Sequence, residues 1–401
     1  MNVERIRQDF PLCTQAQPLI YFDNACATLK PEPVLQAMDE YNRAFPTCGG
    51  RSINRLGERV TAAVQTARAQ VQKFINARRA DEIVFVRNTT EGINFLAHTI
   101  SLQAGDVILI TDKEHNSNLV PWQLAAARTG AVLRTVPTLP DGTFDSAAYE
   151  AALQAGNVKV VAMGMVSNLD GVAIPAREVV TRAHAHDALV IFDAAQAAPH
   201  QALDVQALGV DFLVFSGHKL CGPSGTGVVY GRHEHLRDWP PFIAGGSTVA
   251  ATTYTSHELL ASPERFEGGT QDYAGIIGLG AAVAYVSAIG LPAIAAHEQQ
   301  LNRYATERLA DVPGVIILGP DAHLRGGILS FYVPNIDIHQ IALALDRSSG
   351  VLLRSGQHCV HSWFTDRKIH GSVRVSFYMY NTTAEVDVFV AGLRDVIAVY
   401  A

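Results

Sequence analysis

Cysteine is scarce in this sequence, basic clusters and repeats are missing, and each shortage removes a class of function. Five cysteines (Cys13, Cys26, Cys48, Cys221 and Cys359) are scattered over 401 residues. Their odd number, wide spacing and lack of a Cys-x-x-Cys pair argue against a disulfide framework or a zinc knuckle. Lysine and arginine form no block and the net charge is -7, so the footprint of a nucleic-acid or anionic-membrane partner is missing. No Gly-x-Gly-x-x-Gly follows an early strand, which argues against a dinucleotide-binding oxidoreductase. Met1 to Phe10 is charged throughout and does not read as a signal peptide. One stretch, Ala274 to Ala296, lacks any charge, but Gly275, Gly278, Gly280, Gly290 and Pro292 interrupt it and alanine dominates it. It reads as a buried helix rather than a membrane span. A cytoplasmic protein with no membrane partner is expected.

The chain holds 48% hydrophobic and 17% charged residues, enough for two or three domains at roughly 150 residues each. Short apolar runs alternate with helical patterns: strands are expected at Ile83–Val86, Asp106–Ile110, Val132–Thr135, Val158–Met163, Ala188–Phe192, Phe212–Phe215 and Gly227–Tyr230, with helices such as Glu91–Thr99 and Ala176–His186 between them. This rhythm predicts an α/β fold with a mostly parallel sheet covered on both faces, whose ligands bind at the C-terminal strand ends. After Gly290 the rhythm changes. A helix from Leu291 to about Leu309 precedes strands near Val315–Ile317 and Ile328–Tyr332, a helix at Ile338–Asp346, strands at Val351–Arg354 and Ser372–Phe377, and a last helix. That grouping suggests a smaller α+β unit. The expected division is an N-terminal segment 1–20, a large domain 21–285 and a small C-terminal domain 286–401, with a cleft between the two domains.

The chemistry gathers after the strands. Phe212-Leu-Val-Phe-Ser-Gly-His-Lys puts Ser216, His218 and Lys219 just past a buried strand, where a desolvated lysine has a lowered pKa and acts as an amine nucleophile. An exposed turn lysine is the plainer reading. Asp193 ends the apolar run Ala188–Phe192, three residues before Gln196. It either caps a helix or keeps a pyridinium nitrogen protonated, as pyridoxal 5'-phosphate (PLP) requires. Thr89 and Thr90 open a helix after a strand and can seat a phosphate there, although threonine is also an ordinary cap. His115 follows the strand ending at Ile110 and can stack on an aromatic ring or relay protons. Cys359 lies in Arg354-Ser-Gly-Gln-His-Cys, unlike an apolar core strand. Arg354 and His358 together are expected to give it a cationic, thiolate-favouring setting.

These residues fall in motifs: V-R-N-T-T-E-G-I-N, E-H-N-S-N-L-V-P-W, V-S-N-L-D-G, F-D-A-A-Q, F-S-G-H-K-L, R-F-E-G-G-T, R-S-G-Q-H-C and Y-N-T. In this order, from Tyr21 to the C-terminus, the chain resembles the SufS/CsdA-type cysteine desulfurases, in the class V aminotransferase group of fold-type I PLP enzymes. The resemblance implies a seven-stranded large domain, PLP held on Lys219, Asp193 on the pyridine nitrogen, Gln196 on the phenolic oxygen and His115 over the ring. It implies phosphate contacts from Thr90, Ser216 and His218, and from Thr270 to the neighbouring subunit of a homodimer. It implies Asn168 and Arg374 on the substrate carboxylate with Arg354 beside them. The implied reaction converts L-cysteine to L-alanine, leaves a persulfide on Cys359 and passes it to an acceptor protein, for iron–sulfur cluster assembly or another sulfur pathway. Selenocysteine lyase, cysteine lyase and aminotransferase are rivals within the fold, and a non-catalytic scaffold is a rival outside it. Three segments depart from the usual pattern: Asp23-Asn-Ala-Cys26, Pro46-Thr-Cys-Gly-Gly-Arg-Ser and the Cys221 that follows His-Lys-Leu. Cys26, Cys48 and Cys221 are therefore either drift among small residues or thiols converging near Cys359, as a relay or as iron–sulfur ligands.

Overall fold

The structure is a computed structural model that describes residues 1–16, 19–50 and 52–400. Gln17, Pro18 and Ala401, within the expected 1–20 and 286–401 segments, and Arg51, in the Pro46–Ser52 segment, lie outside the described residues. Seven strands form the large sheet: β1 (Ile83–Val86), β2 (Val107–Thr111), β3 (Val132–Val136), β4 (Val158–Gly164), β5 (Leu189–Asp193), β6 (Phe212–Ser216) and β7 (Gly227–Gly231), each within one residue of its expected bounds. Their order is β1-β7-β6-β5-β4-β2-β3, and β7 alone runs against its neighbours. Apolar runs such as Val-Ile-Leu-Ile in β2 are buried on both faces, as a helix-covered parallel strand requires. Polar residues appear where these strands end, with Thr111, Asp193 and Ser216 closing β2, β5 and β6.

The uncharged stretch forms a helix, Tyr273–Ile289, packed on the helices Glu32–Ala44 and Arg55–Phe74. Small residues make the approach possible: a Cβ at Gly280 would lie 2.8 Å from that of Ala67, and one at Gly278 would lie 2.8 Å from Met38 Cγ. At Gly290 the chain turns by 74° into the helix Leu291–Ala310. Among the described residues no single helix is long and apolar enough to cross a membrane, although this bent pair passes by length and composition together.

A second sheet follows, antiparallel throughout: β8 (Ile316–Leu318), β9 (Ile328–Tyr332), β10 (Arg354–Gly356) and β11 (Ser372–Ser376), in the order β8-β9-β11-β10. The single strand expected at Val351–Arg354 is two, because its halves take different partners. Val351–Leu352 pairs with Ile20–Tyr21, and Arg354–Gly356 pairs with β11. The N-terminal helix Val3–Arg7 is tied to the last helix by the Arg7–Glu385 ion pair at 2.7 Å.

Candidate active site

Most of the expected site residues meet in one pocket at the C-terminal ends of β2, β4, β5 and β6. Lys219 ends a 3-10 turn, Gly217–Lys219, directly after β6. Only glycine fits at 217, since a Cβ there would stand 2.2 Å from Thr226 Oγ1. Thr28 braces the turn by donating its N–H to the His218 carbonyl at 2.9 Å and accepting the Cys221 N–H at 2.7 Å. Burial pushes the Lys219 amine below the ordinary lysine range, with Arg374 adding to the shift and Asp193 opposing it. Burial pushes Asp193 up, while the Ala195 N–H at 2.9 Å and Lys219 favour its ionised form.

His115 caps the helix Asn116–Thr129, its Nδ1 accepting the Ser117 N–H at 3.0 Å. With Nδ1 as acceptor, the ring proton of neutral His115 sits on Nε2. Burial first, then Lys219, Arg374 and Arg354, push its pKa down to about 3, so the ring is neutral at physiological pH. Thr89 and Thr90 open the helix Thr89–Thr99. Ser216 Oγ lies 2.7 Å from Thr89 Oγ1, and Ser117 Oγ lies 2.6 Å from Thr90 Oγ1. Four hydroxyls at a helix N-terminus make an anion seat, and Ser117 is a member that sequence reasoning missed. Its only signal was its place in E-H-N-S-N. His218 lines the same pocket and is pushed down to about 4 by burial and nearby lysines.

Arg354 and Arg374 stand directly opposite each other on β10 and β11. Like charges in that register repel. Asp23 answers both, with Oδ2 3.6 Å from Arg354 and Oδ1 3.3 Å from Arg374. Asp23 is a second residue the sequence did not single out for this role. Arg374 is almost fully buried, donates to the Asn168 carbonyl at 3.0 Å, and has no partner for Nε.

The cysteine loop is pinned through its backbone. Asn168 Nδ2 donates to the His358 carbonyl at 2.7 Å and the Asn116 N–H donates to the Cys359 carbonyl at 2.7 Å. His358 and Cys359 both adopt left-handed backbone, at φ 49° and 59°, which side chains other than glycine rarely take without such support. Asn168 thus lines the pocket with its amide donor committed to this loop.

Two expectations need correction. His358 does not add a cation beside Cys359: burial, Arg374 and Arg354 push it down to about 2, and the neutral ring pairs with Ser372 Oγ at 2.8 Å. Gln196 lines the pocket, its Nε2 donating to the Ala25 carbonyl at 2.7 Å and its Oε1 buried without a partner. The extra cysteines do not converge. Cys48 is exposed on its loop, and Cys221 is fully buried, with its thiol pushed up to about 12 by burial. Among the described residues no cluster of three or more His, Cys, Asp or Glu can hold a metal, which removes the iron–sulfur arrangement. Only Cys26 joins Cys359 in lining the pocket. Thr270 is outside this pocket, exposed on a groove with Arg87 and Gly227.

The residues present fit PLP. An amine with a lowered pKa, a buried carboxylate, a hydroxyl-lined helix N-terminus and the orphaned polar atoms of Gln196 and Arg374 are what a phosphorylated, polar aromatic cofactor and its amino-acid substrate would complete.

The family model for aminotransferase class-V matches residues 20–389. A cysteine desulfurase from Enterobacter sp. (strain 638) is 43% identical over 98% of both chains. Among solved structures, the apo cysteine desulfurase of Thermococcus onnurineus NA1 superposes with a TM-score of 0.94 at 36% identity, covering 98% of both chains. The cysteine desulfurase CsdA of Escherichia coli, in an S-sulfonic acid form, superposes with a TM-score of 0.92 at 31% identity over the whole of both chains. On a match that spans nearly its whole length, the chain belongs to the class-V aminotransferase family.

Proposed function

We propose that this pocket converts L-cysteine to L-alanine and leaves the removed sulfur on Cys359. The chain is a cysteine desulfurase that works with PLP, which when bound supplies the electron sink for chemistry at the amino acid's α-carbon. The observation that carries the residue assignment is the convergence of Lys219, Asp193 and Cys359 with two arginines in one pocket.

Lys219 would hold the cofactor through Nζ, and as a free amine its lowered pKa would let it take the α-proton. Asp193 would keep the ring nitrogen protonated, and His115 would lie against the ring. Thr90, Ser216 and His218 would hold the phosphate, with Thr89 and Ser117 completing the seat. Gln196 would serve the phenolic oxygen. Arg374 takes the substrate carboxylate through Nε, beside Arg354. Cys359 Sγ attacks the substrate sulfur, forming an S–S bond as the sulfur–carbon bond breaks. The carbon fragment is then protonated from the Lys219 ammonium and leaves as alanine, with His115 Nε2–H as a hydrogen-bond donor beside the reacting carbon. The sulfur on Cys359 goes on to an acceptor protein.

Thr270 would serve a phosphate in a second copy of the chain, which makes the working unit a homodimer. Its exposure and its separation from the pocket of its own chain support that reading.

Assay of alanine and sulfane sulfur from L-cysteine tests the assignment. Lys219→Ala should lose the visible absorption of bound PLP together with activity. Cys359→Ala should keep the absorption and lose alanine formation by about 10²-fold or more. An unchanged rate in Cys359→Ala would remove Cys359 as sulfur acceptor and leave the cofactor assignment standing.

A further inference from the structure

Cys26 is the second thiol of the active pocket. It follows the short strand Ile20–Tyr21, in Asp23-Asn24-Ala25-Cys26, and lines the same cavity as Cys359. Arg354 Nη1 donates to its sulfur at 2.9 Å. A guanidinium has donors only, so Cys26 Sγ is the acceptor in this contact. Cys26, Cys359 and Lys219 line one cavity. The other cysteines are elsewhere: Cys221 is sealed in the core, Cys48 is exposed on its loop, and Cys13 packs against the core beyond the pocket.

The cysteine loop gives this second thiol a purpose. The carbonyls of His358 and Cys359 are both tied down, and their left-handed backbone is held by those ties. A loop fixed in this way does not carry its sulfur outward. Sulfur taken by Cys359 is collected inside the pocket, by a group that enters or by one already there. Cys26 lines the cavity whose walls also hold the buried orphan atoms Gln196 Oε1 and Arg374 Nε, so it borders the space that takes a polar ligand.

We propose that Cys26 is a second sulfur carrier, which takes the terminal sulfur from the Cys359 persulfide within the pocket. The inference rests on the reading that Cys359 is the first acceptor. In the transfer, Cys26 as thiolate attacks the terminal sulfur of Cys359–S–SH. The S–S bond at Cys359 breaks as a new one forms at Cys26, Cys359 departs as thiolate, and the proton stays on the transferred sulfur. The exchange is isoelectronic and needs no outside oxidant or reductant. It frees Cys359 for a second turnover, so one chain stores two sulfane sulfurs before any acceptor arrives.

The test uses the PLP-loaded enzyme with about three equivalents of L-cysteine per chain and no other thiol, alkylation of the product, and peptide mass spectrometry beside a count of alanine and sulfane sulfur per chain. Wild type should carry one extra sulfur on the Cys26 peptide and one on the Cys359 peptide. Cys26→Ser should keep the PLP absorption and fall about twofold in both alanine and stored sulfur. Cys359→Ala should leave the Cys26 peptide unmodified.

Extra sulfur on Cys359 alone, with the same count in Cys26→Ser, overturns the proposal. Extra sulfur on Cys26 in Cys359→Ala overturns it too, because Cys26 would then take sulfur directly from substrate. A Cys26–Cys359 disulfide with released sulfide also overturns it, replacing storage by discharge. Failure of the parent reading looks different: sulfur on neither peptide and alanine formation that ignores Cys359.

Discussion

Among single residues, His358 shows how a neighbour on the sequence differs from a neighbour in charge. Beside Cys359 it looks like a source of positive charge, yet burial among Arg374 and Arg354 keeps it neutral, down to about 2 from an ordinary 6.5. The unfolded chain therefore takes up a proton that the folded chain refuses. This contribution to stability is fully present above pH 6.5 and is lost as pH falls toward the folded value, at about 1.4 kcal/mol per pH unit for one proton. Glu114 works in the opposite sense. Burial raises it to about 7 from 4.5, so its contribution is complete below 4.5 and is lost as pH rises through 7. Because Glu114 is common to both proteins, comparing wild type with His358→Gln isolates the histidine. Urea unfolding from about pH 6.5 to about pH 5 should cost wild type about 2 kcal/mol more than the variant, and parallel slopes would show that His358 titrates normally in the fold.

At the level of elements, the site is a junction of loops held by ion pairs that no single motif announces. Lys113 of E-H-N-S-N's leading turn reaches Asp170 of V-S-N-L-D-G at 2.7 Å, both buried, and so couples the ends of β2 and β4. Glu267 of R-F-E-G-G-T accepts two bonds from buried Arg68, at 2.8 and 2.9 Å, and a third from the Phe85 N–H of β1 at 2.8 Å. Asp23 does the same for β10 and β11 by standing between Arg354 and Arg374. Asp23→Asn should lower unfolding free energy by about 3 kcal/mol, because it leaves two facing arginines with one of them buried. Adding Arg354→Gln should recover part of that loss, a coupling that a double-mutant cycle measures directly; simple additivity would mean that Asp23 acts elsewhere.

For the whole molecule, the proposed homodimer makes a prediction of its own. Thr270→Ala should weaken PLP binding about fivefold or more, the effect of one lost hydrogen bond to a charged phosphate. A hybrid of Thr270→Ala with Lys219→Ala chains contains one site with its own Lys219 and a partner that retains threonine at 270. That site should regain wild-type PLP affinity. Mixtures that behave as the sum of the two separate variants would place the Thr270 effect within a single chain.

Much of this protein was legible before any coordinates. Four of the seven strand runs, those that end just before Arg87, Thr111, Asp193 and Ser216, mark the large sheet most plainly, because a strand buried on both faces must be apolar until it emerges at its end. The same rule put Lys219, Asp193, Thr89, Thr90 and His115 at one edge, since each follows its strand closely. What only the tertiary structure decided depends on contacts between distant segments. Val351–Arg354 splits because Ile20–Tyr21 competes for one half of it. His358 loses its charge to burial and then to two arginines, Arg374 from the next strand and Arg354 four residues before it. Of the three unusual cysteines, Cys221 turns inward against Thr28 and Tyr378, Cys48 stays on an exposed loop, and Cys26 alone faces the reaction pocket. Local sequence sets periodicity and strand ends, whereas protonation, pairing and exposure are set by whatever the fold brings alongside.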